Sequence, residues 1–285
     1  MPPRLRTLLI LGRVSNLPTV WSNCLAGWWL GGAGNAGKLP LLFLGVSALY
    51  TGGMFLNDAL DAPVDRQRRP SRPIPSGAIT RESVLVWSIG LFAAGILALA
   101  FAGKTAAVLA VVLLGSIIAY DATHKAVNAS PWLMGVCRFW VYVIAASAGR
   151  YGVNGWPIWC GMALASYIVG LSYVARRESF RAAVPWWPLI LLAAPILLAM
   201  LMDDGPARRP AALLSIILAL WVIRCVRTIF QRSEVNIGQI VSGLLVGIVF
   251  VDWLAVAPGC PTALSAAFCA LFAATLVLQR FVPAT

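Results

Sequence analysis

Ten apolar stretches of roughly 17–22 residues divide this chain, near 14–33, 40–58, 82–102, 106–121, 131–149, 157–175, 186–202, 211–229, 238–256 and 262–281, each about the length needed to cross a hydrocarbon core some 30 Å thick. A backbone surrounded by lipid has to satisfy its own N–H and C=O groups, and the lengths fit helices, not strands. The expected fold is therefore all-α, a polytopic transmembrane bundle of nine or ten helices around a central cavity. The count turns on 238–256, which carries glycines and Asp252. Charged residues make up only 11% of the chain against 60% hydrophobic, where a soluble domain carries about 25% charged. No stretch is left over to bury a separate globular core, so residues 1–285 read as a single integral membrane domain. The start, MPPRLRTLLILGRVSNLPTVW, places basic residues before an apolar run as a signal peptide does. It lacks a small-residue cleavage site and reads as the first retained helix.

The formal charge of +12 does not point to nucleic acid, because the arginines fall between spans instead of forming one basic and aromatic surface. Lys and Arg of short loops stay on the cytoplasmic side. With a cytoplasmic N-terminus, only Lys38, Lys104, Arg150, Arg208 and Arg209 of the 22 basic residues lie outside. The loops after spans two, four, six and eight are then cytoplasmic. The six cysteines, Cys24, Cys137, Cys160, Cys225, Cys260 and Cys269, lack the CxxC spacing of a zinc or redox site and read as small apolar residues. Trp28–Trp29 and Trp186–Trp187, near span ends, fit an interfacial belt.

The polar residues behind span two carry the chemistry: Asn57-Asp58-Ala59-Leu60-Asp61-Ala62-Pro63-Val64-Asp65, then RQRRPSRPIPSG. On a helix Asn57, Asp58, Asp61 and Asp65 share one face, so three carboxylates and an amide are expected to converge. Hard oxygen donors suit Mg²⁺, which keeps waters and is usually held by one or two carboxylates plus substrate phosphates. The competing reading is an acidic helix end paired with nearby arginines, with no metal.

NDALDAPVD followed by RPSRPIPSG resembles the first Asp-rich motif of the UbiA-type intramembrane prenyltransferases, and it sits after the second span as in that family. The resemblance implies that Asn57, Asp58, Asp61 and Asp65 bind Mg²⁺ with an isoprenoid diphosphate, with Arg68 and Arg72 bordering the diphosphate. It implies a second substrate, a small-molecule acceptor, a lipid bilayer as surroundings, and a prokaryotic inner (cell) membrane with the active site facing the cytoplasm. The family's second motif, a DxxxD after span six with a tyrosine and a basic residue before it, is replaced here by Tyr173-Val-Ala-Arg-Arg177-Glu178-Ser-Phe-Arg181. Glu178 is then a ligand for a second magnesium, with Tyr173, Arg177 and Arg181 toward substrate, or it is only a surface ion-pair partner.

The loop after span four, Tyr120-Asp121-Ala-Thr-His124-Lys125, holds the only histidine. Asp121 and Lys125 are either an intrahelical pair or functional, with Lys125 and Arg138 gripping diphosphate while Asp121 or His124 orients or deprotonates an acceptor. YDATHK, SPWLMGVCRFWVYVIAA and LGRVSNLPTVWSN are most similar to the EboC-like branch of the family. Asn16 and Asn23 aim amides at the acceptor or hydrogen-bond between helices. Arg224 and Arg227 line the cavity or act as topological anchors. Asp203 and Asp204 fall on the opposite face, away from catalysis. The activity these residues suggest is magnesium-dependent transfer of an isoprenoid chain from a polyprenyl diphosphate to a hydroxylated (cyclitol- or sugar-like) or aromatic acceptor. Cyclisation or hydrolysis of the diphosphate, and non-catalytic carriage of an anionic lipid, are the alternatives.

Overall fold

The computed structural model describes residues 3–124, 127–176, 186–231 and 236–283. All regular structure among them is helical: α1 (Pro3–Leu11), α2 (Leu17–Leu30), α3 (Leu39–Arg68), α4 (Arg81–Ala102), α5 (Lys104–Thr123), α6 (Ser130–Ser147), α7 (Gly155–Arg176), α8 (Trp187–Leu191), α9 (Ala194–Met202), α10 (Arg208–Gln231), α11 (Ile237–Ala255) and α12 (Thr262–Phe281). Each expected span coincides with a helix, except that 186–202 is broken into α8 and α9, each with a proline in its first turn. Proline there forfeits no intrahelical bond. Among the described helices, seven are long and apolar enough to cross a membrane: α3, α4, α5, α7, α10, α11 and α12. The expected nine or ten is reached only by adding α2, of 14 residues, α6, and the α8–α9 pair. Despite Asp252 and its glycines, α11 is unbroken.

Close crossings hold the bundle, because apolar side chains gain little from leaving lipid for protein and packing has to come from backbone approach. A Cβ on Gly45 of α3 would lie 2.6 Å from Leu99 Cγ, and one on Gly95 of α4 would lie 2.9 Å from Gly45 O. α6 packs between α2, α5 and α7, and α11 packs on α2, α7, α10 and α12. One large apolar core runs from Val20 and Leu49 to Leu244 and Phe268. A smaller one joins Leu11, Phe55, Ala59, Ala62, Ile74 and Val84. Ile74 thereby pins the loop between α3 and α4 beneath the end of the bundle.

That loop can be pinned because α3 does not stop where its apolar run stops. It continues to Arg68 with Pro63 inside it. Proline has no N–H for the carbonyl four residues back, which here is that of Ala59. Arg81 Nε donates to the Ala59 carbonyl at 2.9 Å and restores the missing bond. The acidic motif is thus presented on a helix that an arginine of the next helix repairs.

Candidate active site

Between α2, α3, α5, α6, α7 and α11 lies a cavity of about 620 Å³. Its mouth gathers Arg13, Asp61, Asp65, Arg68, Arg69, Arg72, Tyr120, Asp121, His124 and Arg176. Its walls are apolar, with Met54, Leu113, Ile117, Met134, Leu171 and Leu245 among them. Three chain ends build the mouth: the last turns of α3, α5 and α7.

The expected convergence of Asn57, Asp58, Asp61 and Asp65 on one point is not formed. No three carboxylate, imidazole or thiol groups among the described residues close on a common centre. Successive positions of the motif turn to different partners instead. Arg72 reaches Asp65 at 2.8 Å and Asp58 at 3.3 Å. Arg13 approaches Asp58 at 3.6 Å, from a backbone bend at φ 44° that separates α1 from the short turn before α2. His124 Nε2 lies 3.3 Å from Asp61, and Asn57 Nδ2 donates to Asp121 Oδ1 at 3.0 Å. The cause is electrostatic: carboxylates this close repel, and each takes the cation or donor within reach. Asn57 and Asp58 are buried behind the mouth and do not line it.

His124 is fixed at both ring nitrogens. Nδ1 lies 3.0 Å from the Asp121 carbonyl, which can only accept, so Nδ1 carries a proton in this contact. Nε2 is thereby left for Asp61 and the cavity.

Magnesium can be tested against these groups. The far oxygen of Asp121, Oδ2, is buried with no hydrogen-bond partner among the described residues. It is a hard donor beside Asn57 and Asp61. A Mg²⁺ ion needs only one or two protein carboxylates when substrate phosphates complete its shell. The donor set fits magnesium arriving with a diphosphate, and does not fit a cage made of protein alone.

Other expected site residues are distributed unevenly. Arg68 and Arg72 line the mouth and Asn16 lines the cavity, where its Nδ2 donates to Tyr50 Oη at 3.3 Å. Asn23 does not face the cavity. It is wholly buried and bonds between helices, to Asp252 at 2.7 Å and from Arg138 at 2.6 Å. Arg138 does line the cavity, but eight residues into α6, about 12 Å from its mouth end at 1.5 Å per residue. It is therefore neither a loop residue nor grouped with Arg68 and Arg72. Tyr173 points away, its hydroxyl donating to the Asn128 carbonyl at 3.2 Å and its ring against Trp187. Lys125, Arg177, Glu178 and Arg181 lie outside the described residues. Arg224 stacks on Trp221 and is exposed, away from the cavity. Asp203 borders a small pocket at the opposite end of α7.

Arg13, Tyr50, Arg69 and Arg176 belong to the cavity and were not among the expected site residues. Arg176 donates to the carbonyls of Asn128 at 2.8 Å and His124 at 3.4 Å, tying α7 to the chain that leaves α5. Arg13 had a sequence signal, a lone arginine beside glycine ahead of the first span. Arg176 lies in the stretch that replaces the second motif, and Tyr50 had no signal.

A membrane helix bundle that opens an apolar cavity onto a mouth of aspartates and arginines defines a class: proteins that hold a charged head at a membrane face and a hydrocarbon tail within. The sequence profile of the UbiA prenyltransferase family matches residues 15–282, and the chain belongs to that family. It is similar to digeranylgeranylglyceryl phosphate synthase of Methanothrix thermoacetophila, 34% identical over 121 residues, covering 42% of this chain and 45% of the relative. The same enzyme of Thermococcus kodakarensis is 41% identical over 83 residues, 26% of this chain and 30% of the relative. The matched segments thus span less than half the length of these curated relatives. In fold the chain resembles a solved digeranylgeranylglyceryl phosphate synthase, with TM-score 0.62 and 21% identity over 89% of this chain and 98% of the other. It also resembles a UbiA homolog from Archaeoglobus fulgidus bound to DMAPP and Mg2+, with TM-score 0.54 and 15% identity over 96% and 99%.

Proposed function

We propose that this protein is a prenyltransferase that moves an isoprenyl group from its diphosphate to a hydroxyl of a small acceptor. The observation that carries the reading is the placement of Asp61, Asp65, Arg68, Arg69 and Arg72 at the mouth of one apolar cavity. A carrier of anionic lipid needs the arginines but is harmed by carboxylates that repel phosphate, unless a metal arrives with the ligand. The relatives' names, and the DMAPP and Mg2+ bound by the Archaeoglobus homolog, support the same donor chemistry.

The diphosphate is held at the mouth by Arg68 and Arg69, beside the Arg72 that Asp58 and Asp65 already pair, and its tail lies along Met54, Ile117, Leu171 and Leu245. Asp61, Asp65 and Asp121 are the residues that would hold magnesium, with Asn57 kept behind them on Asp121 and Asp58 by Arg13 and Arg72. When bound, the ion neutralises charge gathering on the departing diphosphate. The arginines share that charge as the allylic C–O bond breaks. The acceptor oxygen forms the new C–O bond, and its proton passes to His124, which faces the cavity. The apolar walls keep water from the electron-deficient carbon.

A hydroxylated acceptor is favoured over an aromatic carbon nucleophile by Asn16, Asp121 and His124, which offer hydrogen bonds where an aromatic ring would want stacking surface. The EboC-like resemblance of YDATHK and its flanks, in a branch tied to cyclitol metabolism, and the glyceryl phosphate in the relatives' names lean the same way. By the distribution of basic residues the mouth faces the cytoplasm. The test is pyrophosphate release in nanodiscs with geranylgeranyl diphosphate and magnesium, with and without acceptors, alongside Asp61→Ala. Acceptor-dependent release that Asp61→Ala abolishes supports transfer. Release without any acceptor makes the protein a cyclase or hydrolase, and magnesium-independent binding without release makes it a carrier.

A further inference from the structure

Deep in the bundle lies a second polar cluster that diphosphate binding does not use. Asp252 of α11 is wholly buried. One of its oxygens accepts from Ser22 and from Asn23, and the other accepts from Tyr142 Oη at 2.6 Å. Asn23, while donating to Asp252, accepts from Arg138 Nη1 at 2.6 Å, and Arg138 Nη2 donates to Thr19 at 3.3 Å. A carboxylate and a guanidinium on different helices are thus joined through one amide, with α2 supplying the middle.

Charge at this depth is costly unless it is matched and used. Five side chains, from Thr19, Ser22, Asn23, Asp252 and Tyr142, are committed to fixing this arrangement, and it meets the cavity through Arg138. The guanidinium lies 5.6 Å from the centre of the Tyr50 ring. Tyr50 in turn accepts from Asn16, and all three line the cavity. One wall of an otherwise hydrocarbon-lined space therefore carries a cation, a phenol and an amide. A prenyl tail laid against that wall would strip those groups of water and return nothing.

We propose that Arg138 is the acceptor-selecting residue, binding a carboxylate or phosphate of the acceptor, and that Asn23 and Asp252 are positioning residues that hold its planar fork toward the cavity. The inference rests on the transferase reading, and it divides the cavity into an apolar lane for the donor tail and a polar wall of Asn16, Tyr50 and Arg138 for the acceptor. Arginine suits this task because its fork meets an oxyanion at two oxygens, and because its charge persists where a lysine would readily lose its own. Asn23 matters as a spacer. It engages Asp252 without letting the carboxylate occupy the face of Arg138 that an acceptor needs.

Equilibrium binding to the protein in nanodiscs tests this apart from turnover. Two probe pairs differ only in the anion: geranylgeranylglyceryl phosphate against geranylgeranylglycerol, and 4-hydroxybenzoate against its methyl ester. Wild type is expected to prefer the anionic member of one pair by about 10- to 100-fold, the range of a charge-assisted hydrogen bond, and that pair tells phosphate from carboxylate. In Arg138→Met the preference collapses while affinity for geranylgeranyl diphosphate holds. Arg138→Lys restores part of it, and Asn23→Leu reduces it without abolishing it. Should Arg138→Met misfold with Asp252 left uncompensated, the Arg138→Met/Asp252→Asn pair removes both charges together and is read in the same way. No preference in either pair, or an equal loss of donor affinity in Arg138→Met, overturns the proposal. Anion preference without any prenyl transfer keeps the subsite and refutes only the transferase reading.

Discussion

Gly27→Ala is the substitution whose consequence follows most directly from the packing. Gly27 lies on α2 where that helix crosses α6. An alanine Cβ there would meet the Tyr142 carbonyl oxygen at 2.6 Å, Ala145 Cβ at 3.0 Å and Tyr142 Cα at 3.1 Å. Two of these atoms are backbone and cannot swing aside. Ordinary contact begins near 3.4 Å, so α2 has to retreat from α6 by about 0.8 Å. Overpacking of this kind costs about 1–3 kcal/mol. The same retreat stretches the Arg138–Asn23 bond from 2.6 Å to about 3.4 Å, beyond the usual N–H···O range. One methyl group should therefore lower stability and weaken anionic acceptor binding together. Reversible unfolding by SDS titration in mixed micelles measures the first, and the probe pairs above measure the second. Gly115→Ala is the control: nothing lies within 4 Å of a Cβ there, and alanine favours the helix by up to about 1 kcal/mol. Gly27→Ala as stable as wild type, or Gly115→Ala equally damaged, would refute the close α2–α6 crossing.

Asp61→Asn should remove magnesium-stimulated pyrophosphate release at least 100-fold while the protein stays folded, since Asp61 lines the mouth beside His124; unaltered release would remove Asp61 from the site. EDTA should abolish release and excess Mg²⁺ restore it, and release that survives EDTA would exclude a metal-assisted reaction. Arg81→Met should destabilise by about 1–2 kcal/mol, because the Ala59 carbonyl left open by Pro63 loses its only donor; a neutral result would mean water repairs that bond. Tyr167→Phe, which removes the hydroxyl that donates at 2.9 Å to the Leu244 carbonyl in the interior of α11, should cost about 1 kcal/mol and leave donor affinity untouched. A changed donor affinity there would mean that α7 and α11 transmit strain to the mouth.

The helix bundle was legible because lipid permits few alternatives: ten apolar runs became helices at the expected places. The least regular of the expected crossings are α2, with only 14 residues, α6, which carries Arg138, and the broken α8–α9 pair. The mouth was legible because NDALDAPVD and its arginines are contiguous, so one helix and its following loop carry them. Contiguity did not reveal which groups face which. Arg72 drawn to Asp58 and Asp65, and Asn57 turned to Asp121 of another helix, depend on how α3 rotates against α5, and no spacing within α3 encodes that rotation. Arg138 was expected to grip the diphosphate with Lys125 because an arginine in a membrane chain is expected to serve the charged face. Its counter-charge, Asp252, lies 114 positions further on, and the amide between them, Asn23, lies 115 positions back.

The two polar clusters answer the same electrostatic problem differently, and the difference assigns their tasks. At the mouth, Asp58 and Asp65 neutralise Arg72 directly, and Asp121 Oδ2 stands among further arginines, an arrangement suited to a ligand that carries both signs, an anion with its metal. In the core, an amide stands between Asp252 and Arg138, so the guanidinium spends one N–H on Asn23 and one on Thr19 and keeps the others clear of the carboxylate, while its charge is balanced from behind. A site for a metal-borne diphosphate benefits from surplus groups of both signs near water, where screening moderates an error in charge balance. A site for a lone oxyanion in hydrocarbon has no such screening and needs one cation held at fixed geometry. Exchanging the tactics would fail in each place. A direct Arg138–Asp252 pair would fill the fork with its own carboxylate, whereas an amide between Arg72 and Asp65 would leave the acidic mouth repelling the diphosphate it has to admit.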